Sequence, residues 1–185
     1  MNYESRDQIP ESDRWDLTQL YPTLDDAKKE LTKIDKSLKK FKTYRGKLLQ
    51  SKETLLEALQ MYEDVNRRLG NFAVYTHQSY DLDTRNADFQ ALYGQLQSLY
   101  ARFGEATSWM TPEILAANPK DVKKLLKKDL KVYEQFFDNI LRAKKHTLSD
   151  KEEALLASMS EAFQTPGNVF GQLNNADFQF PTIKD

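Results

Sequence analysis

The sequence predicts an all-α fold, an array of antiparallel amphipathic helices. Apolar residues recur at steps of three and four over most of the 185 residues, the spacing that places side chains on one stripe of a helix. Only 6 Gly and 6 Pro are present, and most stand between the periodic segments, where short loops are expected. Hydrophobic residues make up 39% and aromatic residues 11%, so the chain can bury a core.

The first long helix is predicted to begin at Thr23 and to end before Gly46. The Thr23 side chain can cap the helix, and Asp26 lies in the first turn, where the helix dipole favours negative charge. The stripe that this helix buries consists of Leu24, Ala27, Leu31, Ile34, Leu38 and Phe41.

A second and a third helix are predicted to form a long helical hairpin, because only a short polar loop separates them. The second helix starts after Ser51, and the third is capped by Asp83 or Thr84. Gly70 costs about 1 kcal/mol relative to Ala in a helix, which predicts another backbone passing close to it. The two stripes are Leu55, Leu59, Tyr62, Val65, Leu69, Phe72 and Thr76, and then Phe89, Leu92, Leu96, Leu99, Phe103 and Ala106.

Shorter helices are predicted in the second half of the chain. Thr111-Pro112 and Asn118-Pro119 each read as a cap followed by a proline at the first helical position. Ser149 and Glu152 have the spacing of a capping box, which predicts a helix from 150 to about 164. The sequence Thr165-Pro166-Gly167 is expected to end it.

The C-terminal residues change period and predict the beginning of a single β-strand. Phe178, Phe180 and Pro181 alternate with Gln179, and Ile183 follows. A lone strand is not stable, and no later segment here can pair with it, so the sequence is expected to come from a longer protein. The predicted organisation is an extended docking arm at 1–22, a helical N-terminal lobe at 23–175 and the start of a further domain at 176–185.

Composition and charge exclude several classes of protein. The chain has 27 basic and 28 acidic residues, a net charge of −1, whereas nucleic-acid-binding domains usually carry a basic excess. There is no cysteine, which excludes disulfides, cysteine nucleophiles and cysteine-ligated zinc. No signal-like or membrane-spanning apolar run occurs, so a cytoplasmic protein without membrane contact is expected.

The residues that could carry chemistry do not form a recognisable site. His77 and Asp81 share a helix face but lack a third metal ligand, and His146 reads as a helix-end histidine. Helix capping explains the paired carboxylates. These pairs are Asp25-Asp26, Asp81/Asp83 and Glu152-Glu153. No catalytic and no metal-binding residue is therefore predicted in this chain, and its substrate-binding residues stay unassigned, although some tyrosines could line a groove for peptide backbone.

Two lysine-rich stretches have two interpretations. They could contact phosphate groups, or they could be the solvated faces of amphipathic helices, and the near-zero net charge favours the second. The two stretches are Lys36, Lys39, Lys40, Lys42, Arg45 and Lys47, and Lys120, Lys123, Lys124, Lys127, Lys128 and Lys131. No nucleic-acid partner is predicted.

Four segments, in order along nearly the whole chain, resemble oligoendopeptidase F proteins. None of them is a catalytic motif, and their order is the stronger signal. The segments are Trp15-Asp16-Leu17 with Leu20-Tyr21, the run from Phe72 to Thr84, His146-Thr147-Leu148-Ser149 with Glu152-Glu153, and Asn174-Asn175-Ala176-Asp177-Phe178 with Phe180-Pro181-Thr182-Ile183.

The resemblance implies a parent enzyme and no active site within this chain. Oligoendopeptidase F proteins are bacterial zinc metallopeptidases, relatives of thimet oligopeptidase, that cleave short peptides in the cytoplasm. Their zinc lies on an H-E-x-x-H helix in a later, C-terminal domain, and that motif is absent from these 185 residues. The expected function is a non-catalytic N-terminal domain that lines the substrate channel and packs on the catalytic domain. The alternative is a helical scaffold that binds a partner without enzymatic activity.

Overall fold

The computed structural model describes residues 8–82, 86–146, 152, 155, 159–174 and 178. The described residues form helices and contain no β-strand, so the all-α prediction is confirmed. The predicted C-terminal strand falls on residues that, except for Phe178, lie outside the described part. The α-helices are α1 Leu24–Leu38, α2 Lys52–Leu82, α3 Ala87–Thr107, α4 Met110–Ala116, α5 Pro119–Leu125, α6 Glu134–Ala143 and α7 Ser160–Gln172.

The chain divides into two compact units, Met1–Arg142 and Ala143–Asp185. The first unit contains two hydrophobic clusters, and α2 contributes side chains to both of them. At 31 residues, α2 is about 46 Å long, long enough to serve two separate cores. No helix in the described part of the chain is long and apolar enough to cross a membrane.

The first cluster joins α1, α2 and α3. The Thr23 side chain accepts a hydrogen bond from the Asp26 amide, so the predicted cap of α1 is confirmed. Leu17, Leu20 and Tyr21 pack against the cluster, and the Tyr21 ring lies 5.2 Å from that of Tyr75 in an edge-on contact. The buried members are Ala27, Ile34, Leu38, Phe41, Val65, Leu69, Phe72, Ala73, Tyr75, Leu92, Leu96 and Leu99.

Helices α2 and α3 pack side by side and run in opposite directions. The Tyr80 ring stacks on Tyr93 at 4.8 Å near the connection, and Tyr62 lies 5.5 Å from Phe103 further away. The start of α3 differs from the prediction. Asn86, rather than Asp83 or Thr84, accepts hydrogen bonds from the first-turn amides, since asparagine is an equally good N-cap.

The second cluster joins the first turns of α2 to α4, α5, the 3₁₀ turn Lys128–Tyr133 and α6. Asn118 caps α5 with Pro119 at its first position, as predicted. The predicted Thr111-Pro112 start is wrong, because α4 already begins at Met110 after Trp109. The buried members are Leu48, Leu55, Ala58, Leu59, Met110, Ile114, Val122, Leu126, Leu130, Tyr133 and Phe137.

Two further predictions about glycine and proline are wrong. Helix α7 continues through Pro166 and Gly167 to Gln172, because the fixed φ of proline is itself helical and only one amide donor is lost. No atom of the described residues lies within 4 Å of an ideal Cβ at Gly70, so no backbone passes close to it there.

Candidate functional site

His77 lies on the exposed side of α2, beside α3. Its ring meets that of Tyr93 edge-on at 5.1 Å, and Tyr93 in turn stacks on Tyr80. Asp81, predicted to share its helix face, is exposed in the last turn of α2. The structure therefore places His77 in an aromatic contact between two helices.

The other sequence-predicted candidates lie at helix ends. His146 is exposed at the end of the 3₁₀ turn Lys144–His146. The Asp26 carboxylate accepts a hydrogen bond from the Thr23 hydroxyl at 2.7 Å, and this contact holds its pKa below the usual value. The capping interpretation is confirmed for Asp26. Asp83 and Glu153 lie outside the described residues.

The lysine-rich stretches occupy the outer sides of their segments. All twelve basic residues are exposed, while the apolar residues between them, such as Leu38 and Val122, are buried. Lys124 pairs with Asp121 at 2.7 Å on the surface of α5. This alternation is what the solvated-face interpretation predicts.

Long-range polar contacts, which no local sequence pattern predicts, hold the elements together. The Glu113 carboxylate accepts hydrogen bonds from the amides of Gly46 at 2.7 Å and Leu48 at 2.8 Å. This contact fixes the loop after α1 to the first turn of α4. Glycine suits this loop position because the φ of Gly46, 76°, lies in the left-handed region, which glycine adopts without strain.

Two arginines fasten α1 to its neighbours. Arg68 of α2 donates to Glu30 at 2.6 Å, and Arg102 of α3 donates to Asp35 at 2.7 Å. The partners are 38 and 67 residues apart in sequence, so no local motif could have revealed them.

The pKa values of two tyrosines, the buried Tyr133 and the partly buried Tyr21, are raised by their surroundings. Burial raises the pKa of Tyr133 to about 12, and its hydrogen bond to Glu63 at 2.9 Å adds to the shift. Burial also raises the pKa of Tyr21 to about 12, with the negative charge of Glu30 acting in the same direction. Tyr133 belongs to the second hydrophobic cluster, and Tyr21 packs against the first.

Comparison with known proteins identifies the family. Residues 113–180 match the family model described as Oligopeptidase F. The chain is 36% identical over 182 residues to oligopeptidase PepF of Bacillus subtilis, which covers 97% of this chain and 27% of that protein. It is 36% identical over 184 residues to the group B oligopeptidase PepB of Streptococcus agalactiae, covering 98% of this chain and 31% of that protein.

A solved structure agrees with the sequence matches. The crystal structure of oligoendopeptidase-F from Enterococcus faecium superposes with a TM-score of 0.68 at 33% identity, over 87% of this chain and 32% of that one. The chain belongs to the oligoendopeptidase F family. It spans less than a third of the length of these curated relatives, 27% and 31%, and it corresponds to their N-terminal region.

The resemblance to oligoendopeptidase F implies zinc, which is held by three or four ligating side chains that lie close together. The described residues contain no group of three or more His, Cys, Asp or Glu side chains that could hold a metal ion. His77 contacts a tyrosine ring, and His146 lies at the end of a separate segment. The described side chains do not fit a zinc centre.

Proposed function

We propose that this chain is the non-catalytic N-terminal domain of a cytoplasmic, zinc-dependent oligoendopeptidase that hydrolyses short peptides. The observation that carries the proposal is the match along 97% of the chain to an oligopeptidase of which it covers only 27%. Zinc, its ligands and the water-activating glutamate belong in this proposal to the part of the enzyme beyond these residues.

The helices of the first unit form part of the wall of the substrate channel in this proposal. Two hydrophobic clusters and the Arg68, Arg102 and Glu113 contacts make the unit rigid enough to restrict access to an active site. The proposed organisation keeps the arm at 1–22, the lobe at 23–175 and the start of the next domain, with its strand, at 176–185.

Peptide hydrolysis tests the catalytic part of the proposal. A quenched fluorescent peptide of about eight residues is incubated with zinc and either this chain or the longer polypeptide of the relatives' length. We expect hydrolysis by the longer polypeptide, loss of hydrolysis with a chelator and no hydrolysis by this chain. Chelator-sensitive hydrolysis by this chain alone would overturn the assignment of a non-catalytic domain.

The channel role predicts discrimination by substrate size. The longer polypeptide should cleave the short peptide and leave a folded protein intact under the same conditions, because a walled site excludes bulky chains. Equal cleavage of the folded protein and the peptide would contradict the role as a wall.

A further inference from the structure

Two uncharged runs of sequence lie side by side on α2 and α3. Residues 69–80 and residues 89–101 contain no Asp, Glu, Lys or Arg, although 30% of the chain is charged. The first run lies in α2 and the second in α3, and the two helices pack against each other along their lengths. The tertiary structure thus combines two neutral segments into one neutral surface.

One contact fixes which sides of the helices form this surface. His77 and Tyr93 meet across the two helices, so both lie at the seam between them. Residues three or four apart on a helix share a face, which extends the surface along both helices. We call it the seam face, and its residues are Gly70, Val74, His77, Tyr93, Tyr100 and Gly104.

The seam face points away from α1. Arg68, which pairs with α1, lies two positions before Gly70. Arg102, which also pairs with α1, lies two positions after Tyr100. Two positions correspond to about 160° around a helix, so the two sets of residues lie on opposite sides of their helices. None of the α1 contacts can therefore cover the seam face.

The seam face leaves apolar surface and helix backbone exposed. Val74 is 46% exposed and Tyr100 is 43% exposed. Nothing in the described part of the chain lies within 4 Å of an ideal Cβ at Gly70 or Gly104. Each helical glycine costs about 1 kcal/mol relative to alanine, and glycine allows another backbone to approach closely. These properties suit a surface that another element covers.

We infer that the seam face is the surface on which the remaining, catalytic part of the oligopeptidase polypeptide docks. This inference rests on the proposed function. The matched segment covers 27% and 31% of these relatives, so more than two thirds of such a protein lies outside it and is available to cover an exposed apolar surface of this segment. Depletion of charge together with exposed tyrosine is the composition of an interface centre, and the covering element is therefore an uncharged, apolar polypeptide surface.

Thiol labelling tests this inference directly, because the chain contains no cysteine. Val74→Cys places a single thiol on the seam face, and Tyr100→Cys places one on α3 as a second, independent probe. Thr32→Cys is the matched control, since Thr32 is exposed on α1, on the other side of the unit. Each variant is made in this chain and in the longer polypeptide, and circular dichroism verifies that it folds.

The expected result is a difference between the two lengths of polypeptide. In this chain, a maleimide should label all three thiols rapidly. In the longer polypeptide, labelling at positions 74 and 100 should slow at least tenfold, whereas labelling at position 32 should not change. Labelling of an endogenous cysteine in the longer polypeptide is separated from that of the new thiol by mass spectrometry of the digested protein.

Other outcomes overturn the inference. Equal labelling rates at position 74 in the two lengths would show an uncovered face. Protection that appears only when a short peptide is added would make the seam face a substrate surface instead. If the longer polypeptide hydrolyses peptide but the thiol at position 74 is not protected, only the docking inference is contradicted. If that thiol is protected but no peptide is hydrolysed, only the proposed enzyme activity is contradicted. The two failures are therefore distinguishable.

Discussion

Removing the Glu113 carboxylate should release the loop between α1 and α2. In the Glu113→Ala variant, the amides of Gly46 and Leu48 lose the acceptor that lies 2.7 and 2.8 Å away. Water can replace it at Gly46, which is exposed, but less easily at Leu48, whose bond is partly buried. We therefore expect the free energy of unfolding to fall by about 0.5–1 kcal/mol for the Gly46 bond, because water replaces the carboxylate there. For the Leu48 bond we expect about 1.5–2 kcal/mol, which is in the range for hydrogen bonds to a charged group.

The expected sum is a decrease of about 2–3 kcal/mol in the free energy of unfolding. Urea titrations followed by circular dichroism measure it by linear extrapolation. Amide exchange gives a local check, because about 2 kcal/mol corresponds to roughly 30-fold faster exchange of the Leu48 amide if local opening governs it. Glu113→Gln keeps one acceptor oxygen and should lose about half as much.

Glu105→Ala is the matched control, since Glu105 is an exposed glutamate near the end of α3. It should change the free energy of unfolding by no more than about 0.5 kcal/mol. The reasoning fails if Glu113→Ala is as stable as this control and the Leu48 amide keeps its protection, since the loop would then be held by its apolar contacts alone.

Three further predictions concern the core, the pH dependence and a surface glycine. The buried Thr76 hydroxyl has no hydrogen-bond partner among the described residues, so Thr76→Val should raise the free energy of unfolding by about 1 kcal/mol in urea titrations. A decrease would reveal a partner for the hydroxyl. The pKa values of Tyr21 and Tyr133 rise to about 12 on folding, so their contribution to the free energy of unfolding should be fully present below pH 10. It should be lost as the pH rises from 10 to 12. Tyr133→Phe should reduce that slope, and an unchanged slope would contradict the assignment. Gly70→Ala should stabilise this chain by about 0.5–1 kcal/mol in thermal unfolding, because the new methyl group meets open space, and destabilisation would point to a contact there.

Helix starts were predicted correctly where a single capping side chain determines them. Thr23 caps α1 and Asn118 caps α5 with Pro119 at its first position, as their side chains suggest. The buried positions of α1 and α3 also follow the predicted stripes, because a residue three or four positions from a buried one faces the same way.

The predicted helix ends were wrong where several residues could begin or end the same helix. Asp83, Thr84 and Asn86 are all residue types that cap helices well, so their identities alone do not decide among them, and Asn86 is the cap of α3. Pro166 was expected to end a helix, yet α7 continues through it, since the cost of one lost amide bond can be offset by the rest of the helix. The sequence alone does not show whether the rest of the helix offsets that cost.

The family could be predicted from the sequence, whereas the seam face could not. The resemblance to oligoendopeptidase F could be seen in ordered segments of sequence, and the family matches agree with it. The seam face could not be predicted, because it combines residues of two helices whose rotation depends on contacts with α1. Its key contact, between His77 and Tyr93, follows from that rotation.

The sequence by itself determined the helical class, most of the buried stripes and the family, because each depends on residues within a few turns of one another or on their order along the chain. The tertiary structure alone decided which polar groups meet, such as Glu113 with the Gly46 and Leu48 amides, and which neutral runs share a surface. The physical reason is that amphipathic periodicity specifies which side of a helix is buried, whereas the partner on that side is chosen by packing and hydrogen bonding between segments distant in sequence.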